Sequence, residues 1–221
     1  MNCPKSKRLK SVSYFLDMTI RKIIMYCFFK RIIDIVLSII LIIALIPLWV
    51  VLPIIIKLSS KGPVLFKQKR IGINKSYFTI YKFRTMKIDT PSDIPTHLMK
   101  KHDQHITKIG TFLRKTSLDE FPQIINILKG DMSIVGPRPA LWNQDDLIYE
   151  RDKYSANNVK PGLTGWAQVN GRDELEIKYK AKLDGEYVKN IGFIIDFKCI
   201  FKTLWNVIKS EGIVEGGDRE N

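Results

Sequence analysis

Cysteine is scarce: the 221-residue chain has three, Cys3, Cys27 and Cys199. They are scattered, odd in number and form no C-x-x-C, which excludes a disulfide-built scaffold and fits reduced thiols in a cytosolic environment. Acidic residues are missing from one long stretch, with none between Asp34 and Asp89. No internal repeat is visible. There is no P-loop, since "GTFLRKTS" lacks the second glycine followed by Lys-Ser/Thr. There is no H-E-x-x-H either. His97, His102 and His105 sit in a polar loop without cysteine nearby, which argues against zinc. No signal peptide is present, because the apolar run starts too late, is too long and has no A-x-A-like site after it.

Basic residues are abundant. Lysine and arginine outnumber aspartate and glutamate 36 to 22, giving +14, and hydrophobic residues make up 45%. That combination describes a domain with a real core and an anionic partner: a phospholipid surface, nucleic acid or a phosphorylated substrate. The apolar run is Ile32 to Ile56, "IIDIVLSIILIIALIPLWVVLPIII", in which only Asp34 is charged. As one helix it would extend about 37 Å, enough to cross a bilayer. Pro47 near its middle and Pro53 after it each remove a backbone donor. Both flanks are basic, with Arg21, Lys22, Lys30 and Arg31 before and Lys57, Lys61, Lys67, Lys69 and Arg70 after. A single span shows that bias on one side only. A segment that enters, bends at Pro47 and leaves on the same side satisfies both observations. A kinked span and a buried soluble helix are the other readings. The basic N-terminus with "IIMYCFF" reads as an interfacial helix or an extension of the membrane segment.

Beyond Lys57 the hydropathy is that of a globular domain. Val64–Gln68 and Tyr77–Phe83 read as a β-hairpin around Gly72-Ile73-Asn74. Residues 88–108 read as a loop. Phe121, Ile124, Ile125 and Leu128 have helical spacing, with Gly130 as a stop. "SIV" (133–135) reads as a short strand before the Gly136-Pro137-Arg138-Pro139 turn. Residues 141–155, 174–189 and 196–210 read as helices and "KPGLTGWAQVNGR" (160–172) as irregular. The last helix carries a broad apolar face of Phe197, Ile200, Phe201, Leu204, Trp205 and Ile208.

The candidate chemistry is the acid pair Asp119-Glu120 in "RKTSLDEFPQ". Ser117-x-x-Glu120 has the form of a capping box. With Asp119 as cap instead, Pro122 falls in the first turn, where it is tolerated. Context adds another role. Arg114, Lys115, Arg138, Lys160 and Arg172 lie near glycine- or proline-bearing turns in the same half of the chain. Arginines hold phosphate oxygens bidentately. Paired carboxylates can hold Mg²⁺ against phosphates, and a carboxylate can form an acyl phosphate. Together these parts suit phosphoryl transfer.

The stretches "KRIIDIVLS" with Pro47, "GPVLFKQKRIG", "YKFRTMK", "LRKTSLDEFPQIINILKGDMSIVGPRP", "KPGLTGWAQVNGR" and "LDGEYVKN…DFKCIFKT" occur in one order over about Lys30 to Gly212. In them the chain resembles the bacterial sugar transferases, the small monotopic phosphoglycosyltransferases of the capsule type. The resemblance implies a mostly helical α+β fold: a re-entrant membrane helix broken at proline, a small cytosolic domain with a β-hairpin, and amphipathic interfacial helices. The implied division is a basic extension over 1–29, the re-entrant helix over 30–58, the catalytic domain over 59–212 and a tail over 213–221. The implied reaction moves sugar-1-phosphate from a UDP-sugar to undecaprenyl phosphate, releasing UMP, at the cytoplasmic face of the bacterial inner membrane, without nucleic acid.

Carried over, Asp119 is the nucleophile and touches Mg²⁺. Glu120 assists the metal or positions the reacting groups. Arg114 and Arg138 hold phosphate, and Lys160 and Arg172 are further phosphate candidates. Two departures stand out: Ile46 where many members have serine before the membrane proline, and Ile177 where a tryptophan is common. Larger relatives carry upstream transmembrane helices, so this chain looks like the minimal catalytic form. "KFRTMKIDTPSD" and "GPRPALWNQ" resemble capsule enzymes that use N-acetylated deoxyhexosamines. The rival readings are a membrane-anchored basic module for nucleic acid or lipid, and a glycosyltransferase releasing UDP.

Overall fold

The structure is a computed structural model that describes residues 5–91, 105–171 and 175–209. The fold is α+β and mostly helical. Helix α1 (Lys5–Ala44) and helix α2 (Ile46–Ser59) meet at Leu45 and are bent by 65°. Among the described residues no single helix is long and apolar enough to cross a membrane, but this bent pair is, as a broken span or a re-entrant loop. Pro47 is the cause. In a continuous helix its ring would press on the carbonyl four residues back, whereas in the first turn of a new helix its missing N–H is no loss. Pro53 lies inside α2 and does not end it.

Lys30, Arg31 and Asp34 of α1 turn towards the rest of the protein. Asp34 is buried and accepts the backbone N–H of Ile134 at 3.1 Å. The Arg31 guanidinium donates to the carbonyls of Ile127 and Leu128, the latter at 2.9 Å. Those carbonyls end helix α4 (Gln123–Lys129), so a cation sits at the negative end of its dipole. Lys30 and Tyr26 both donate to Asp196, which also accepts the Tyr187 hydroxyl at 2.9 Å. Helix α2 is held the same way: the buried Arg84 donates to the Ser60 carbonyl at 2.7 Å and the Lys61 carbonyl at 3.0 Å.

Strands β1 (Leu65–Ile71) and β2 (Tyr77–Phe83) form the antiparallel hairpin, paired from Leu65↔Phe83 to Ile71↔Tyr77. The first strand starts one residue later than its pattern implies and runs on to Ile71, since alternation continues through Lys69 and Arg70. Its turn places Asn74 and Lys75 at φ 52° and 60°. Helix α3 (Lys108–Lys115) follows, then α4, which Gly130 stops at φ +92°.

Strand β3 (Ser133–Val135) pairs in parallel with β4 (Gly162–Thr164), after a crossover through α5 (Asp145–Asp152). The 160–172 stretch is therefore not irregular: it supplies β4 and the short helix α6 (Trp166–Val169). Its glycines serve backbone packing. A Cβ on Gly165 would lie 2.0 Å from the Gly136 carbonyl oxygen, and one on Gly136 would lie 2.4 Å from that of Lys160. Helices α7 (Ile177–Lys189) and α8 (Phe193–Lys209) complete the chain. Phe197, Phe201, Leu204, Trp205 and Ile208 on α8 are exposed, as the amphipathic pattern implies.

One core cluster joins Leu52 and Ile56 of α2 to Phe83, Leu113, Phe121 and Ile124. The membrane helix after the break thus packs directly behind the acid pair. A second cluster is Val135, Tyr187, Ile195 and Cys199.

Between α5 and α7, Arg151 pairs with Asp184 at 2.7 and 2.8 Å, both almost wholly buried. Burial pushes the Asp184 carboxyl up, and the Arg151 charge pulls it back. Arg151→Met strands a buried carboxylate and is expected to cost about 3–5 kcal/mol, read as a lower midpoint of thermal unfolding. Arg151→Met with Asp184→Leu is expected to recover most of that loss. A double variant no more stable than the single one would contradict this account.

Candidate active site

The acid pair does not cap a helix. Ser117 adopts a left-handed conformation (φ 56°), and Leu118–Glu120 form one 3-10 turn. Pro122 then takes the N-cap position of α4, with no side-chain cap. The reason lies in Pro122 itself: a proline cannot bond back into a continuing helix, so the turn before it closes separately. Both acids therefore project from a tight turn between α3 and α4. Trp49 of α2 supports that turn, its ring 5.0 Å from that of Phe121.

Glu120 is fixed. Its Oε1 accepts from Lys82 Nζ at 2.7 Å and from Arg138 Nη2 at 2.7 Å, and Arg138 Nη1 lies 3.4 Å from Oε2. Lys82 comes from β2 and Arg138 from the turn after β3. Burial alone would raise the Glu120 carboxyl, but Arg138 and then Lys82 outweigh it and hold the group well below the usual carboxylate range. Asp119 is different. Among the described residues no hydrogen bond or ion pair ties down its carboxylate. Burial pushes it up to about 6. Lys82 opposes that rise, Glu120 adds to it, and Arg114 and Arg138 also pull it down.

Arg114 ends α3 and donates from Nε to Thr85 Oγ1 at 3.0 Å. Lys82, Arg114 and Arg138 thus all act on the Asp119 carboxyl, and Lys82 and Arg138 also bind Glu120. The structure therefore brings together Asp119, Glu120, Arg114 and Arg138. Lys160 lies elsewhere, with its Nζ and the Arg31 guanidinium both next to Gly130. Its burial, then Arg31, lowers its pKa, while Asp34 and Asp131 pull the other way. Arg172, His97 and His102 lie outside the described residues. No cluster of three or more His, Cys, Asp or Glu side chains occurs among the described residues.

Sequence reasoning assigned no role to Lys82 or Thr85. The available signal was a lysine inside the otherwise apolar and aromatic run "YFTIYKF", where a cation needs a partner.

The model of the bacterial sugar transferase family matches residues 25–210. The chain is 43% identical over 159 residues to an uncharacterized sugar transferase, EpsL, of Bacillus subtilis (strain 168), covering 72% of this chain and 77% of that one. It is 40% identical over 185 residues to an undecaprenyl-phosphate glucose phosphotransferase of Komagataeibacter xylinus, covering 79% of this chain and 35% of the relative. It is 40% identical over 183 residues to the UDP-glucose:undecaprenyl-phosphate glucose-1-phosphate transferase of Escherichia coli (strain K12), covering 80% and 39%. The matched region is thus little more than a third of those two longer relatives. With the family model matching from before the helix break to the end of α8, and with the acid pair held inside that region, the chain belongs to the bacterial sugar transferase family.

Proposed function

We propose that this protein transfers sugar-1-phosphate from a UDP-sugar to undecaprenyl phosphate, releasing UMP, and so starts a capsule, exopolysaccharide or O-antigen repeat unit. The observation that carries the reading is the contrast within the acid pair. Glu120 is locked by two cations, while Asp119 beside it is held by no hydrogen bond among the described residues and faces the same cations. A free carboxylate under positive charge is what attack on a phosphate ester requires.

In this reading an Asp119 oxygen attacks the sugar-bearing phosphorus. A bond forms from that oxygen to phosphorus, and the bond to the UMP oxygen breaks. The phosphate oxygen of undecaprenyl phosphate then attacks the same phosphorus and releases the Asp119 carboxylate. Arg114 and Arg138 bind phosphate oxygens, and Lys82 and Glu120 keep Arg138 and the turn in place. Mg²⁺ bound with substrate phosphates needs only one or two protein carboxylates, so the donor set fits it. Asp119 would be its main ligand, because Glu120 already accepts from two cations. When bound, the ion would neutralise charge on the phosphates. Both longer relatives have names specifying glucose, and the sugar used here is decided by a substrate panel.

With undecaprenyl phosphate, Mg²⁺ and a panel of UDP-sugars, one sugar is expected to give UMP, with EDTA stopping its release. Asp119→Ala is expected to lower turnover on the order of 10³-fold or more. UDP as the product, or an active Asp119→Ala protein, would refute the reading.

The nucleophile must be ionised. UMP release is therefore expected to rise with pH up to about 6, falling about tenfold per unit below that value. Lys82→Met removes the strongest pull on the Asp119 carboxyl and is expected to move the inflection upwards. An unchanged inflection in that variant would contradict the assignment.

The membrane segment is proposed to be re-entrant, with both ends on the cytoplasmic face. Cysteines placed at the exposed Lys22 and Lys61, in a background without Cys3, Cys27 and Cys199, are both expected to react only from the cytoplasmic side. A Lys61 position reached only from outside would rule the topology out.

A further inference from the structure

Helices α1 and α8 are pinned to each other at one level, by Asp196 with Tyr26 and Lys30, and separate from there. Between them and β3 lies an open groove of about 490 Å³. That is within the range of about 300–1,000 Å³ common for small-molecule sites. Its walls are apolar: Ile33 and Leu37 from α1, Ile134 from β3, and Phe193, Phe197 and Ile200 from α8.

The polar groups that line it are already satisfied within the protein. Asp196 takes its donors from Tyr26 and Lys30, and Asp34 takes the Ile134 N–H. The interior therefore leaves none of these groups without a partner and offers nothing to a charged ligand, and an unpaired charge placed there would lose its hydration without return. Lys198, exposed and among the lining residues, puts one cation at the rim. The groove is also continuous with exposed apolar residues on both helices, including Ile32, Val36 and Ile40 on α1 and Ile194 and Phe201 on α8. A patch of that kind marks a membrane or partner surface.

We infer that the groove holds one acyl chain of a bilayer glycerophospholipid, with the lipid phosphate at Lys198. A hydrocarbon chain matches the neutral apolar walls, and an anionic headgroup matches the cation at the rim. None of the lining residues belongs to the acid-pair site, and the groove is assigned to a bilayer lipid, with a prenyl phosphate as the outcome that would overturn it. Its chain fills the space that α1 and α8 leave beyond their shared contact at Asp196, and so completes the packing between the membrane helix and the last helix. This inference does not depend on the proposed reaction.

The test is native mass spectrometry of the full chain, delipidated in detergent and titrated with phosphatidylglycerol. The wild type is expected to retain one phosphatidylglycerol molecule. Ile33→Trp with Ile200→Trp, which fills the groove, is expected to lower retention at least tenfold. Leu204→Trp, on α8 but outside the groove, is expected to retain the lipid like the wild type. Lys198→Glu alters only an exposed side chain and is expected to weaken retention by about fivefold or more. Asp119→Ala should retain the lipid as the wild type does, whatever its turnover, which separates this result from the fate of the catalytic reading. Equal retention by the wild type and both groove variants would overturn the inference. So would a wild type that retains no phosphatidylglycerol, or one that is purified holding a prenyl phosphate displaced by none.

Discussion

Glu120 ties three distant segments to one point. Lys82 belongs to the hairpin, Arg138 to the turn after β3, and Glu120 to the 3-10 turn that precedes α4. None of these pieces is long enough to be rigid alone. A carboxylate with two charge-assisted bonds fixes their separation, because charged hydrogen bonds are shorter and stronger than neutral ones. The residue beside it inherits that fixed position without being bound itself. Asp119 is thus placed by its neighbour's contacts, which is how a reactive group can be both held and free.

The two acids also act in opposite directions on stability. Glu120 has a depressed folded pKa, so its contribution is present above the ordinary glutamate range and is lost as pH falls through the depressed value. Asp119 has a raised folded pKa, so ionising it costs folding free energy, and that cost grows as pH rises from the ordinary aspartate value to about 6. The fold tolerates a destabilised carboxylate because the one next to it is strongly stabilised. A site that kept both acids paired would be more stable, but would lack the unpaired carboxylate on which the proposed reaction rests.

Much of this was legible in the chain, for identifiable reasons. The hairpin, α4, its Gly130 stop and the amphipathic α8 follow local rules of alternation, helical spacing and backbone freedom, and all are found. The break at Pro47 was legible as a proline in an apolar helix, although Pro53 has the same ring and lies inside α2 without ending it. The misses share another cause. β4 is three residues long, and only its parallel partner β3, about 30 residues earlier, makes it a strand. The acid-pair turn was read as a helix cap because the tetrapeptide has the right spacing. Ser117 is instead left-handed, and Pro122 rather than either acid takes the N-cap position of α4. Lys82 escaped notice because its partners lie 38 and, through Glu120, 56 residues away. The glycines of the 160–172 stretch, which read as a sign of irregular chain, are places where backbone meets backbone.

The helix break poses its own problem, because backbone groups freed in hydrocarbon have no water to turn to. Ile46 replaces a residue whose hydroxyl could have helped, yet the joint closes without it. The Leu45 N–H reaches the Leu41 carbonyl at 3.0 Å, and the Leu45 carbonyl accepts from Leu48 at 2.9 Å and Trp49 at 3.2 Å. One residue thus ends the first helix and begins the second. Arg31 and Asp34 of α1 follow the same rule of internal satisfaction, since they bond to backbone of the globular domain. These contacts fix how deep α1 is set against α4 and β3. The packing of α2 against Phe83, Leu113 and Phe121 then carries that position to the acid pair. The bent helix pair is therefore more than an anchor: its two halves, docked separately by polar and apolar contacts, set where the acid pair stands relative to the break, which in the proposed function fixes its place at the bilayer from which a lipid phosphate would approach.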